Sequence, residues 1–172
     1  MRLIPALAVS AFVLAASSAV SGAALAQQAV PPGEKPVDPY IQSNANAGAT
    51  PLKDDSVFKA FHGKEGLVRI TSDLVDRNLA DPRISEVFKG IDIPKLKTHL
   101  AEQLCYVLDG GCAYTGRDMK TSHKDLGVNM AEMNALVENL QWAMDKEGVP
   151  FRAQNKLLAK LAPMSKQAIE RR

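Results

Sequence analysis

Apolar positions fall into three regimes along this chain. Residues 3–20 are apolar apart from a few serines, and residues 27–53 carry five prolines among Asn, Gly, Ser and Ala. From Asp54 onward apolar residues recur at helical spacing. Asp54 or Asp55 caps a short helix with Val57, Phe58 and Phe61 inward, and Gly63 and Gly66 break it. Leu67, Ile70, Leu74, Val75 and the Asn78-Leu79 pair form the inner stripe of a second helix, which stops at Asp81-Pro82. Ile84, Val87 and Phe88 make a short third piece. Asp92 and Pro94 start a helix whose face is Leu96, Leu100, Leu104 and Val107, ended by Gly110-Gly111. Asp118 caps a short helix carrying Met119 and His123, closed by Gly127. Asn129 and Glu132 pattern as a capping box for a long helix with Met133, Leu136, Val137, Leu140, Ala143 and Met144 inward, ended by Gly148. Pro150 opens the last helix, with Leu157, Leu158, Leu161 and Met164 inside and a bend at Pro163. No alternating strand is visible. The pattern predicts an all-α domain over 54–172, with helices too short and unequal for a regular four-helix bundle.

The first regime changes where the protein is expected to work. Arg2, the apolar run and Ala24-Leu25-Ala26 have the shape of a signal peptide cleaved after Ala26, so residues 1–26 are set aside and a periplasmic or secreted protein is expected. With no basic stop-transfer cluster behind the run, no membrane anchor is expected after cleavage. Residues 27–53 cannot bury much apolar area and read as a proline-rich disordered arm, with Tyr40 and Ile41 as its docking point. The formal net charge is +2 and there is no Lys/Arg run, which removes the electrostatic case for a nucleic-acid partner.

The chemistry concentrates between Leu96 and Gly127, which holds His99, His123 and both cysteines. There is no glycine-rich phosphate loop, G-x-S-x-G elbow, H-E-x-x-H pair or C-x-x-C-H attachment site. A neutral imidazole on a helix among apolar residues suits haem iron. Zinc held by His99, His123, Cys105 and Cys112 is the competitor, although that interleaved order matches no zinc module. Structural histidines in a helical interaction module are the reading of another class. His62, at a turn, is expected to be a surface or capping histidine. In an oxidising compartment the turn at Gly110-Gly111 can bring Cys105 and Cys112 into disulfide range, about 4.4–6.8 Å between Cα atoms; two buried thiols are the alternative.

The order of five segments sharpens this. LADPRI-x-x-x-F (79–88), LK-x-H (96–99), DGGCAYTGRDMK (109–120), S-H-x-x-x-G (122–127) and EGVP (147–150) together resemble the group I truncated haemoglobins, the bacterial two-over-two globins. The resemblance runs from Val57 to about Gln167. It implies a two-over-two helical sandwich around haem b, binding a diatomic gas such as oxygen, nitric oxide or carbon monoxide. By position it implies His123 as proximal iron ligand, Phe88 against the haem face, and Leu96 and Leu100 on the distal side. The resemblance likewise implies that Met119 packs proximally and that Lys95 and Tyr114 lie near the haem edge and propionates. Where many members place a distal tyrosine and glutamine, this chain has Val75 and Leu100, with Gln103 one turn onward. His62 replaces one glycine of the first glycine pair, with Gly63 keeping the other. His99 matches a position where some relatives carry a second iron ligand. Such a site implies reversible gas binding, with a redox partner protein for electron transfer, or nitric oxide detoxification, as uses. Nitric oxide dioxygenase or peroxidase-like side activity goes with the same chemistry.

Overall fold

The computed structural model describes residues 39–170; the expected signal peptide and most of the arm lie outside them. Residues from Tyr40 onward form one compact unit. Its helices are α1 (Asp55–Ala60), α2 (Gly63–Ala80), α3 (Ile93–Val107), α4 (Met119–His123), α5 (Met130–Lys146), α6 (Phe151–Leu161) and α7 (Ser165–Ala168), with no strand among the described residues. No helix among them is long and apolar enough to cross a membrane.

The caps read from the sequence are formed. Asp54, Asp92 and Asp118 each accept a backbone N–H through their side chains at the starts of α1, α3 and α4. Asn129 and Glu132 make the reciprocal box that opens α5. Pro163 does more than bend the last helix. Lacking an N–H, it sits in a 3-10 turn, Ala162–Met164, that separates α6 from α7. The break expected at Gly63 and Gly66 is displaced: α2 begins at Gly63, and Gly66 lies buried inside it. Residue His62 turns the chain at φ 58° and Gly63 follows at φ 68°, so the imidazole stands in a left-handed position that glycine would occupy more cheaply.

Helix α2 is the axis of the core, packing against both α3 and α5. Leu67, Ile70, Leu74, Leu104, Val107, Leu140, Met144 and Leu157 form the buried cluster between α2, α3, α5 and α6. Two positions assigned inward are outside: Leu79 is 40% exposed and Val137 37%. At the end of α2 the buried side chain is Asn78, whose Oδ1 accepts from the Asn139 amide at 2.8 Å. The same amide donates to Asp81 at 3.1 Å, and Asp81 accepts the Arg83 backbone N–H at 3.0 Å. Arg83 continues to Glu138 at 2.6 Å. The LADPRI segment is therefore a polar clamp between α2 and α5, and Leu79 and Val137 flank it on the solvent side.

The EGVP turn performs a similar task. Glu147 accepts from Arg69 Nε at 3.0 Å and lies 2.9 Å from Nδ1 of His62, joining the end of α5 to the start of α2. The Arg69 guanidinium, with His62 beside it, holds the Glu147 carboxyl down at about 2. A depressed carboxyl contributes stability above its unfolded value, lost as pH falls through the folded one. Acid denaturation between about pH 4.5 and 2 is expected to be less steep in Glu147→Gln than in the parent, read by circular dichroism. An equal slope in both would remove Glu147 from the acid response.

Residues 40–53, which composition assigns to the arm, belong to this same unit. Tyr40 does dock: its hydroxyl donates to the Thr115 carbonyl at 2.7 Å, and the Arg117 guanidinium lies over its ring. Ile41 does not, being 80% exposed. The 3-10 turn Asn44–Ala47 continues the contact, with Asn44 Oδ1 accepting from Tyr114 N at 2.8 Å and Asn46 Nδ2 donating to the Gly116 carbonyl at 3.2 Å. Residues 40–48 thus strap the loop between α3 and α4.

Candidate functional site

Two histidines stand on the helices that the sequence singled out, α3 and α4. Helix α4 is only five residues long and is held at both ends. Asp118 Oδ1 accepts from Thr121 N at 2.9 Å at its start. Beyond its end, the Glu170 carboxylate accepts from the backbone N–H groups of Asp125 and Gly127, at 2.8 and 2.6 Å, and α7 packs alongside. His123, half-buried at the last position of α4, has Nδ1 2.7 Å from the Met119 carbonyl oxygen. A carbonyl only accepts, so in the neutral ring Nδ1 is the protonated nitrogen and Nε2 keeps the lone pair. A metal-ligating imidazole needs that tautomer. The Met119 side chain is buried against Gln103 and Met164. The residue therefore packs with one end and orients His123 with the other.

His99 is half-buried on α3 and sits over the strapped loop. Its Nδ1 is 3.3 Å from Glu102 Oε2 and 3.3 Å from Thr115 Oγ1. Thr115 is itself committed to Glu102: Oγ1 donates at 2.7 Å and the backbone N–H at 3.0 Å, both to Oε2. Burial alone would raise the Glu102 carboxyl, but these donors and His99 outweigh it and the value is lowered. The carboxylate is thus a pure acceptor, and His99 Nδ1 is the donor facing it. The rings of Tyr114 and His99 meet in a T-shaped contact, 6.3 Å between centroids and 72° between planes. Its hydroxyl donates to the Arg117 carbonyl at 2.9 Å, and burial pushes its pKa up to about 12. What Tyr114 offers the site is its ring; its hydroxyl belongs to the turn.

The remaining residues follow the same division. On the inner face of α2, Val75 is fully buried, and the one hydroxyl there, Thr71, is back-bonded to the Leu67 carbonyl at 2.9 Å. Leu96 and Leu100 on α3 and Phe88 at the end of the 3-10 turn Ser85–Phe88 are half-buried, leaving apolar surface that a flat apolar ring would finish covering. Lys95 is half-buried in the first turn of α3. Gln103 is spoken for, since Nε2 donates to the Ala47 carbonyl at 2.9 Å within the core. His62 is an exposed partner of Glu147, as expected. Glu102 and Thr115 were not singled out in the sequence, although Glu102 stands three residues from His99 on one helix face, the spacing at which side chains meet.

Cys105 and Cys112 are joined, with Cα atoms 5.7 Å apart, so neither is available to a metal. Among the described residues no three His, Cys, Asp or Glu side chains gather as a metal cluster, and the zinc arrangement is not formed. The bridge ties the loop to the last turn of α3. Gly110 makes room for it: a Cβ there would lie 2.4 Å from the Phe58 ring and 2.8 Å from Cys105 Sγ. Closing so short a loop contributes about 2 kcal/mol. The Cys105→Ser/Cys112→Ser variant is expected to lose that much in urea unfolding, and non-reduced alkylated protein to show no modified cysteine by mass spectrometry. Two alkylated cysteines would overturn the bridge.

A short-helix, all-α fold with two half-buried histidines on α3 and α4 is compatible with the class of small haem-binding helical proteins. The chain belongs to the bacterial-like globin family, whose sequence model matches residues 56–170. It is 29% identical over 110 residues to the group 1 truncated hemoglobin GlbN of Mycolicibacterium paratuberculosis, covering 64% of this chain and 81% of that one. Its fold is similar to that of a truncated hemoglobin from Tetrahymena pyriformis in the Fe(III) form, at TM-score 0.64 and 21% identity over 67% of this chain and 98% of that chain. The 2/2 hemoglobin of Synechococcus sp. PCC 7002, in the cyanomet state with covalently attached heme, is similar at TM-score 0.62 and 21% identity over the same shares. The protein is thus a bacterial-like globin with the two-over-two fold, similar to group 1 truncated hemoglobins, and haem b is its cofactor. Membership sets aside the interaction-module reading.

Proposed function

We propose that this globin works outside the cytoplasm, that His123 Nε2 holds haem iron on the proximal side, and that His99 Nε2 closes the distal side until a diatomic ligand displaces it. The observation carrying this reading is the paired fixing of Nδ1, on the Met119 carbonyl for His123 and on Glu102 with Thr115 for His99. Each partner leaves Nε2 as the lone pair, the tautomer a metal needs. Haem b, once bound, supplies an iron that takes up a gas and cycles between ferric and ferrous states. The chain's own residues decide the rest. Phe88, Leu96 and Leu100 contribute apolar surface that excludes water. Val75 and Leu100 offer no hydrogen bond, so a bound gas is not held by the pocket wall. Lys95 provides a cation for a propionate at the edge.

With His99 on iron, apparent gas affinity falls in proportion to the open fraction. Two imidazoles would suit electron transfer with a redox partner protein, because no ligand need be gained or lost between oxidation states, whereas nitric oxide detoxification would require His99 to leave the site to the gas. Export is supported by Ala24-Leu25-Ala26 and by a disulfide, which persists in oxidising compartments.

The test is the ferrous spectrum at neutral pH. The wild-type protein is expected to show the narrow, split bands of low-spin bis-histidine haem. His99→Ala should give a broad high-spin form and faster carbon monoxide binding. A wild-type ferrous protein that is already high-spin, with binding kinetics indifferent to the substitution, would leave His99 a bystander.

A further inference from the structure

Resting on that reading, we infer that Glu102 and Thr115 form a positioning pair for His99, through which the disulfide loop controls the distal side of the haem. The pair sits on two elements. Glu102 is one turn after His99 on α3, whereas Thr115 arrives from the loop after Cys112. Thr115 gives both its hydroxyl and its backbone N–H to one oxygen of Glu102, at 2.7 and 3.0 Å. That oxygen and the Thr115 hydroxyl then both face His99 Nδ1 at 3.3 Å.

A histidine on an exposed helix face ordinarily samples several rotamers and both tautomers. Here a carboxylate that can only accept stands on one side of the ring, so the Nδ1–H tautomer and one ring orientation are selected together. A carboxylate on the far nitrogen also makes an imidazole a more basic ligand, which favours ferric over ferrous iron.

The loop that delivers Thr115 is held from three sides. Cys112 is bonded to Cys105 at the end of α3. Tyr40 donates to the carbonyl of Thr115 itself. Asn44 and Asn46 bond the backbone on either side, at Tyr114 and Gly116. Four contacts to so short a stretch exceed what a solvent-facing loop needs, and all converge on the residue that reaches His99. A site held to sub-ångström tolerance requires support of this kind.

The experiment compares haem-loaded wild type, Glu102→Gln, Thr115→Val, Thr115→Ser and His99→Ala by ferrous spectrum, carbon monoxide binding and midpoint potential. Loss of an outer partner weakens a metal-bound histidine by about 10–100-fold. Glu102→Gln and Thr115→Val should raise the open fraction seen by carbon monoxide by about that factor, and both should raise the midpoint potential. Thr115→Ser, which keeps the hydroxyl, should return both quantities to the wild-type values. A purely packing role for the pair would leave the potential unmoved. If His99→Ala alters the ferrous spectrum while Glu102→Gln and Thr115→Val match wild type in potential and open fraction, the positioning pair is refuted and His99 ligation stands. If His99→Ala alters nothing, the ligation reading fails first, and the inference with it. Thr115→Val, which leaves the carboxylate in place, decides the matter should Glu102→Gln melt early.

Discussion

Replacing His123 with alanine is expected to leave a folded protein that no longer retains haem. The substitution removes the one Nε2 that α4 presents, and with it the proposed proximal bond to iron. Little of the fold depends on the ring. His123 is half-buried, and its ring's hydrogen bond goes to the Met119 carbonyl, four residues back on the same short helix. The core that surrounds Met119 is built by other residues, among them Leu104, Leu140 and Met164. Circular dichroism should therefore match the parent, whereas the haem-to-protein ratio after gel filtration should fall to a small fraction of it. His62→Ala serves as the control. That side chain is half exposed and pairs with Glu147, so the variant should bind haem as the parent does. A His123→Ala protein carrying a full haem complement with an unchanged ferric spectrum would move the proximal ligand elsewhere.

Local rules carried the reading of the sequence a long way, and non-local bonds mark where they stopped. Caps were legible because a cap is a bond between neighbours. Asp54, Asp92, Asp118 and the Asn129–Glu132 box all formed where the residue types placed them. His99 and His123 were visible for the same reason, as polar rings on helices that otherwise present leucine and methionine. The misassigned Leu79 and Val137 show the limit of periodicity. Each stands next to a residue that is also inward by pattern, and the neighbour, Asn78 or Leu136, is the more deeply buried of the two. The choice was made by the hydrogen bond from the Asn139 side-chain amide to Asn78 Oδ1, whose partners are 61 residues apart. Segment 40–48 escaped for a related reason. Its Asn and Ala residues look like linker composition, but Asn44 and Asn46 spend their side chains on backbone groups 70 residues away. The same holds at the site. Glu102 was open to helical spacing, but Thr115 reaches it only because the disulfide and the strap bring the loop back over α3. Tautomers were not legible at all, since they depend on which acceptor each Nδ1 meets.

Gly66→Ala is expected to destabilise the fold by about 3 kcal/mol or more, well beyond the usual cost or gain of such a change in a helix. Intrinsic propensity argues the other way, because alanine is favoured over glycine in a helix interior by about 1 kcal/mol. Contact decides against propensity here. A Cβ at Gly66 would sit 2.0 Å from the Phe61 carbonyl oxygen and 2.8 Å from Cβ of His62. The first of these is backbone, so no rotamer change relieves it, and Phe61 is fully buried at the junction of α1 and α2. The turn at His62 and Gly63 would have to open, which pulls on the Glu147 clamp and on the N-terminal end of the helix that carries Val75. Gly63→Ala isolates the other effect. Nothing lies closer to its Cβ position than a flexible glutamate oxygen at 3.7 Å, so its cost is the left-handed backbone alone, about 1–2 kcal/mol. Urea unfolding of the haem-loaded proteins reads both, and Gly66→Ala should be clearly the weaker of the two. If it instead unfolded at the parent midpoint, α2 would have to leave α1 by a different path than this turn allows, and the close approach of Gly66 to Phe61 would be wrong.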